Sequence, residues 1–409
     1  MGLNIQCCNE RFSAYAPMVY RGYSALFPLL AFVLPLSETG KQVVIGLLLL
    51  MGLYLFACKK IVILFDPPTI CFTMLLAAVL VGAFLGRDTA RSLGLSYAVV
   101  RLYVVFLVAR SIRWERKLVN RVLACLFVGF LLTLFWGYFN YFNGAQFLEL
   151  NSVGHVNHSS IYILLVGLTA AFILIFDGAT LPRPLFICAL LTAGCSFFSV
   201  FFSGSRATTY SLLLLLAGAG CYAAFKAKTR LLLVMILFFL VAAISFQYGI
   251  GKEAAERLMK GAYFHDRMGL VIGFFRSWLD SNLLFGIGLG NSRLVELHSY
   301  YPESVLARSS HAHNTYLAFL VERGLVGLGC YLLFLVLVLV RLLQQFTVRR
   351  GGLIAAGIAL WATNFIISFA NTTFHHENAV LLLMIWGMAL ASEPAAALPS
   401  APLSSKKHR

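Results

Sequence analysis

The chain has 409 residues, of which 60% are hydrophobic and 12% charged, and its mean hydropathy is +0.85. That composition excludes a soluble globule, which could not keep so much hydrocarbon out of water. The net charge of +16 does not indicate nucleic acid as a partner, because the basic residues flank apolar runs instead of striping a polar domain.

Runs of about 17 to 25 apolar residues are long enough to cross a bilayer as helices. In chain order they predict spans at 23–37, 42–58, 69–86, 94–110, 122–142, 158–177, 184–204, 207–225, 230–248, 314–341, 352–370 and 379–391. The expected fold is an all-α polytopic membrane protein of about twelve helices in a single integral domain, with membrane lipids as its surroundings. The first span is short and carries Pro28 and Pro35, and the last is short as well. The span from Asn314 exceeds one crossing, which places its first ten residues above the membrane. The first apolar run leads into the second without a small-residue cleavage site, so no cleavable signal peptide is expected.

Orientation follows from Lys and Arg, which stay cytoplasmic during insertion. Starting inside puts 19 of the 32 basic residues on the cytoplasmic face and 11 outside, seven of the latter in one long loop that the rule exempts. Both termini, including the tail 392–409, are then cytoplasmic. Arg101 and Arg323 fall within spans, where an unpaired charge costs roughly 2.5–3.5 kcal/mol on insertion scales. The nine cysteines, Cys7 and Cys8 among them, lie in spans or in the inner N-terminus, so no disulfide framework is expected.

Polar chemistry concentrates on the outer side, where eight of the nine histidines fall. Short outer loops lie near Glu38, at 87–94, 143–157, 203–206 and 371–378, and the long loop covers 249–313. Within it, 252–260 alternates charged and apolar residues, and Arg267 to Leu279 reads as an amphipathic helix in the interface. Gly286-Ile287-Gly288-Leu289-Gly290 follows. No predicted strand precedes it, so a tight turn with close backbone approach fits better than a nucleotide loop.

Arg206 ends the seventh span and admits two readings. Such an arginine often snorkels to headgroups, but with Arg267, Arg276 and His313 in the adjoining loop it could also grip a diphosphate through paired hydrogen bonds. His311-Ala312-His313-Asn314 closes the long loop. His313 is either a loop residue at a helix start or a base for an attacking hydroxyl; a zinc pair would need further ligands, and the carboxylates are scattered. His155 and His158 open the sixth span, and His375 and His376 precede the last; each fits a wall or helix cap better than a catalyst. Glu322 and Arg323 are placed to offset each other's charge. The chain has no Asp-x-Asp pair for a metal-nucleotide sugar, no Gly-Lys-Ser/Thr phosphate loop and no Gly-x-Ser-x-Gly elbow.

Three segments together resemble the O-antigen ligase and polymerase superfamily of polytopic bacterial enzymes. They are Ser203-Gly204-Ser205-Arg206-Ala207; Asp266-Arg267 leading to Phe285-Gly286-Ile287-Gly288-Leu289-Gly290-Asn291; and His313-Asn314-Thr315-Tyr316-Leu317 followed by Glu322-Arg323-Gly324. The resemblance implies a GT-C-like glycosyltransferase of the Gram-negative inner membrane, with its active site facing the periplasm. It implies an undecaprenyl-diphosphate-linked O-antigen as donor and lipid A-core oligosaccharide as acceptor, with no cofactor and no metal. Arg206 and Arg267 would contact the diphosphate and His313 would be the base; Arg276, His155, His158, His311 and Asn314 are candidate further contacts.

The superfamily also holds chain polymerases and protein O-oligosaccharyltransferases. The outer loop is compact and no appended domain for a protein acceptor is visible, which favours the ligase. A lipid-linked glycan transporter would carry intramembrane arginines too, but would call for an internal repeat, and the two halves of the chain do not match.

Overall fold

The computed structural model describes residues 15–145, 147–203, 205–225, 264–300, 309 and 311–391. The expected span at 230–248, the charged stretch 252–260 and the tail lie outside the described residues. The helices are α1 (Ala16–Val33), α2 (Glu38–Ala57), α3 (Pro67–Leu85), α4 (Thr89–Ser111), α5 (Arg116–Phe142), α6 (Val156–Asp177), α7 (Arg183–Phe202), α8 (Arg206–Phe225), α9 (Phe264–Leu279), α10 (Thr315–Arg349), α11 (Gly352–Ile367) and α12 (His376–Ala391), with a single helical turn at Leu297–Tyr300. Among the described residues there is no strand, and α2 to α7 and α10 are long and apolar enough to cross a membrane. The chain is a multi-pass helical membrane protein.

Each expected span within the described residues overlaps one helix. The boundaries differ where polar residues cap a helix ahead of its apolar run. Ser37 accepts the Gly40 amide at 3.0 Å, Asp66 the Thr69 amide at 3.3 Å and Asp88 the Arg91 amide at 3.0 Å. These side chains satisfy N–H groups that the first turn cannot pair internally, so α2, α3 and α4 begin before the hydrophobic stretch does.

The 16-residue α12 is short for a bilayer crossing, and its environment accounts for that. Every residue from Glu377 to Leu390 is buried, because α4, α6, α10 and α11 surround it. Gly387 lets α12 close on α4, since a Cβ there would run into Ala109. The N-terminus of α12 therefore emerges at the centre of one end of the bundle. The connections α1–α2, α3–α4, α5–α6, α7–α8 and α11–α12 meet at this histidine end, where Asn151 donates to the Leu36 carbonyl at 3.1 Å and Asn378 to the His158 carbonyl at 3.4 Å. At the opposite end the Arg110 guanidinium pairs with the Asp66 carboxylate and donates to the Thr69 hydroxyl at 2.7 Å.

At 35 residues α10 would be about 52 Å long, well beyond a hydrocarbon core of ~30 Å. It is broken at Gly324, where φ is +64°, nine residues into the helix. The glycine run fills the break. Ile287 and Gly288 donate to the carbonyls of Val321 and Glu322 at 2.9 and 3.1 Å, and Leu325 and Val326 donate to Leu283 and Leu284 at 2.9 and 3.1 Å. Gly286, Gly288 and Gly290 all have positive φ, so the expected close backbone approach is met. The same run docks on the α3–α4 corner through Arg87 N–H to the Ile287 carbonyl, 2.9 Å, and Arg91 Nε–H to the Gly290 carbonyl, 2.8 Å. Above it, Leu270, Phe274 and Trp278 of α9 pack with Ile287, Val295, Leu297, Leu317 and Val321 in a small second core. The amphipathic helix expected at 267–279 is thus α9, folded over the upper part of α10.

Candidate functional site

A cavity of about 350 Å³ opens at the histidine end, lined by His155, Asn157, His158, Ile161, His311, His313, Asn371 and Thr372. Four of the histidines singled out in the sequence therefore share one wall. Two chain segments supply them, a third adds Asn371 and Thr372, and each is fixed locally. His155 caps α6 by accepting the Asn157 amide on Nδ1 at 3.3 Å, and the Glu149 carboxylate accepts the Val156 amide at 3.0 Å. Those bonds set the first turn of α6, which carries His158.

His313 precedes α10 with φ +48°, in the left-handed region. Asn314 accepts the Leu317 amide at 3.0 Å and donates to the Phe369 carbonyl at 3.1 Å. Thr315 donates its amide to the Ser368 carbonyl at 2.8 Å and its hydroxyl to the Asn371 carbonyl at 2.9 Å. The start of α10 is thereby tied to the α11–α12 connection, and His313 lies beside Asn371 and Thr372. Asn314, a candidate contact, has both ends of its amide engaged in this tie. Backbone strain at a non-glycine residue is held only where the surroundings over-determine it, commonly at a functional site.

His375 and His376 form a second layer. The His158 ring lies 5.9 Å, centroid to centroid, from each of them, and His375 lies 6.2 Å from His311. Burial pushes the His375 imidazole well below its ordinary value of 6.5, and the neighbouring His376, His158, His311 and Arg323 push it the same way. Burial and these neighbours alike favour its neutral form. Among the described residues no group of His, Cys, Asp or Glu is arranged to hold a metal ion, and the cavity wall contains no carboxylate.

The arginines are placed as follows. Arg206 is the first residue of α8, and the start of α8 is joined to the start of α6 by the Ser160–Thr208 hydroxyl contact at 2.9 Å. Arg267 stands in the first turn of α9, and its side chain lies outside the described part of the structure. Arg276 donates to the Tyr300 carbonyl at 2.6 Å, clamping the end of α9 to the loop. Arg323 lies 3.8 Å from Glu322 and 4.1 Å over the Phe319 ring, so that pair does offset its own charge. Arg101 finds the Glu38 carboxylate at 3.7 Å.

Lys41, Asn371 and Thr372 were not singled out in the sequence. Lys41 is fully buried and paired with both Glu38 and Glu377. A lone lysine at the edge of an apolar run was the available signal, since a buried charge is costly unless paired. Asn371 and Thr372 carry no such mark; the fold alone brings them to the cavity.

These helices and this wall define a multi-pass membrane protein with a polar, imidazole-rich site at one end of its bundle. Residues 189–332, about a third of the chain, match the family model described as O-antigen ligase, so this segment is similar to that family. The matched segment contains Arg206, Arg267, the glycine run, His313 and Gly324; His155, His158, Lys41 and 371–377 lie outside it. No curated protein matches the chain.

Proposed function

We propose that the protein is an inverting glycosyltransferase that moves O-antigen polysaccharide from undecaprenyl diphosphate to a lipid A-core sugar. On this reading it sits in the bacterial inner membrane with both termini cytoplasmic and the histidine end facing the periplasm. The observation that carries the reading is the cavity itself, in which His313 shares a wall with His155, His158 and His311. Its lining of imidazole, amide and hydroxyl groups suits a sugar, and the adjacent start of α8 brings Arg206.

In the proposed step His313 removes the proton of an acceptor hydroxyl as the oxygen attacks the anomeric carbon. The bond from that carbon to the diphosphate oxygen breaks, and the electron pair leaves with undecaprenyl diphosphate. Inversion follows from attack opposite the leaving group. A diphosphate leaves without a proton when its growing charge is neutralised, which is the role given to Arg206 and Arg267. The site would hold only the two glycolipids, with no metal or nucleotide.

The test is a lipopolysaccharide gel from the source bacterium with the gene deleted, then complemented. Loss of the whole polysaccharide ladder, with lipid-linked polymer accumulating, is expected. Core bearing a single repeat would instead make the protein a polymerase, and an unchanged ladder would overturn the assignment.

A further inference from the structure

We infer that the buried ion pair between Lys41 of α2 and Glu377 of α12 is a positioning device for the histidines of the cavity. The inference rests on reading that cavity as the transfer site. The two residues are 0% and 1% exposed at the centre of the histidine end. Three neighbours of Glu377 in sequence engage α6: His375 and His376 through their rings on His158, and Asn378 through the His158 carbonyl. His375 also meets His311. The start of α12 thus touches cavity histidines from two of the segments that line it, and Lys41 is the group that ties it to α2.

Holding α12 in the bundle does not call for this pair. The helix is buried along its whole length by apolar side chains. Two buried charges cost several kcal/mol to dehydrate, and well-packed apolar residues in their place are often equally stable or better. What an ion pair adds is direction. It fixes where residue 377 lies and hence the preceding turn, in which His376 is held at φ +46°. Lys41 is itself steered by Glu38, which is braced by Gln42 at 2.8 Å and Arg101 at 3.7 Å.

The cluster's protonation depends on the same placement. The charged and titratable groups around His375 and His376 are Glu38 and Lys41 on α2, Arg101 on α4, His155 and His158 at α6, His311, His313, Glu322 and Arg323 at α10, and Glu377 on α12. With the turn held, His375 is packed away from water and stays neutral. A loosened turn would hydrate the imidazoles and let them take protons at higher pH.

The experiment uses full-length protein in detergent, comparing wild type with the double variant Lys41→Met/Glu377→Leu and with Glu377→Gln. Glu377→Gln leaves Lys41 its Glu38 partner and so decides the matter if the double variant does not fold. The readouts are thermal unfolding and transfer of polysaccharide from purified undecaprenyl diphosphate donor to lipid A-core. The expected result is a folded variant with an unchanged KM for the donor, a kcat about 10²-fold lower, and the acid limb of its pH profile moved to higher pH. A folded variant with wild-type kcat and profile would overturn the inference. If wild type itself makes no glycosidic bond, the transfer reading falls, and the positioning role is read from diethyl pyrocarbonate modification of His158 and His375, mapped by mass spectrometry. Faster modification in the variants supports it, and unchanged rates overturn it.

Discussion

The amide of Val326 donates to the carbonyl of Leu284 at 3.1 Å, across the break that Gly324 makes in α10. The loop between α9 and α10 therefore replaces part of the helix's own hydrogen bonding, and the segment above the break carries His313 at its start. Gly324→Ala should break this arrangement. The φ of +64° disfavours any Cβ, and the new methyl would meet the Leu284 carbonyl. The expected loss is about 1–3 kcal/mol, seen as a lower unfolding temperature in detergent together with reduced transfer. Wild-type stability in that variant would mean that the break is not held by the glycine.

His313→Ala should remove the base. Loss of a general base commonly costs 10² to 10⁴ in rate, and kcat should fall while the KM for donor stays near wild type. Because Asn314 and Thr315 hold the start of α10 through their own bonds, the variant should fold normally. A folded His313→Ala protein transferring at wild-type rate would exclude the residue as base.

Features of this fold differ in how far the sequence alone exposes them. The spans, the excess length of α10 and the amphipathic α9 are written in hydrophobic length and period, which act locally, so the sequence exposes them. The arginine and histidine motifs are visible because charged and titratable side chains are scarce in so apolar a chain. The grouping of His155, His158, His311 and His313 was not legible, because it depends on how α6, α10 and the α11–α12 connection meet in space. The same holds for the Lys41–Glu377 pair, whose members are 336 positions apart. Arg101 looked unpaired for that reason: its partner Glu38 belongs to another helix. Helix starts were missed where a single Ser or Asp cap, not an apolar residue, begins the helix.

Arg206 and Arg267 are expected to act on the donor and not on the acceptor. Replacing either by Ala should cost about 10² to 10³ in kcat, the scale for removing one donor to a developing oxyanion. Lysine should rescue poorly, because a point charge lacks the planar pair of N–H groups that matches a phosphate. Steady-state kinetics with each substrate varied in turn checks this. Full activity in Arg206→Ala would return that residue to the headgroup-anchoring reading, and full activity in Arg267→Ala would remove it from the site.

Acidification should loosen the histidine end. His375 has a folded-state pKa well below its ordinary 6.5, chiefly through burial. Below about pH 6.5 the unfolded chain takes up a proton there that the folded chain refuses, so the unfolded state binds more protons and stability falls as pH falls. The contribution is complete above 6.5 and declines toward the depressed folded value, at no more than about 1.4 kcal/mol per pH unit for this one group. Unfolding temperatures in detergent between pH 8 and pH 5 should therefore drop on the acid side, and His375→Gln should flatten the drop. If His375→Gln keeps the wild-type slope, the acid sensitivity belongs to other groups, and His375 is not the neutral core of the cluster.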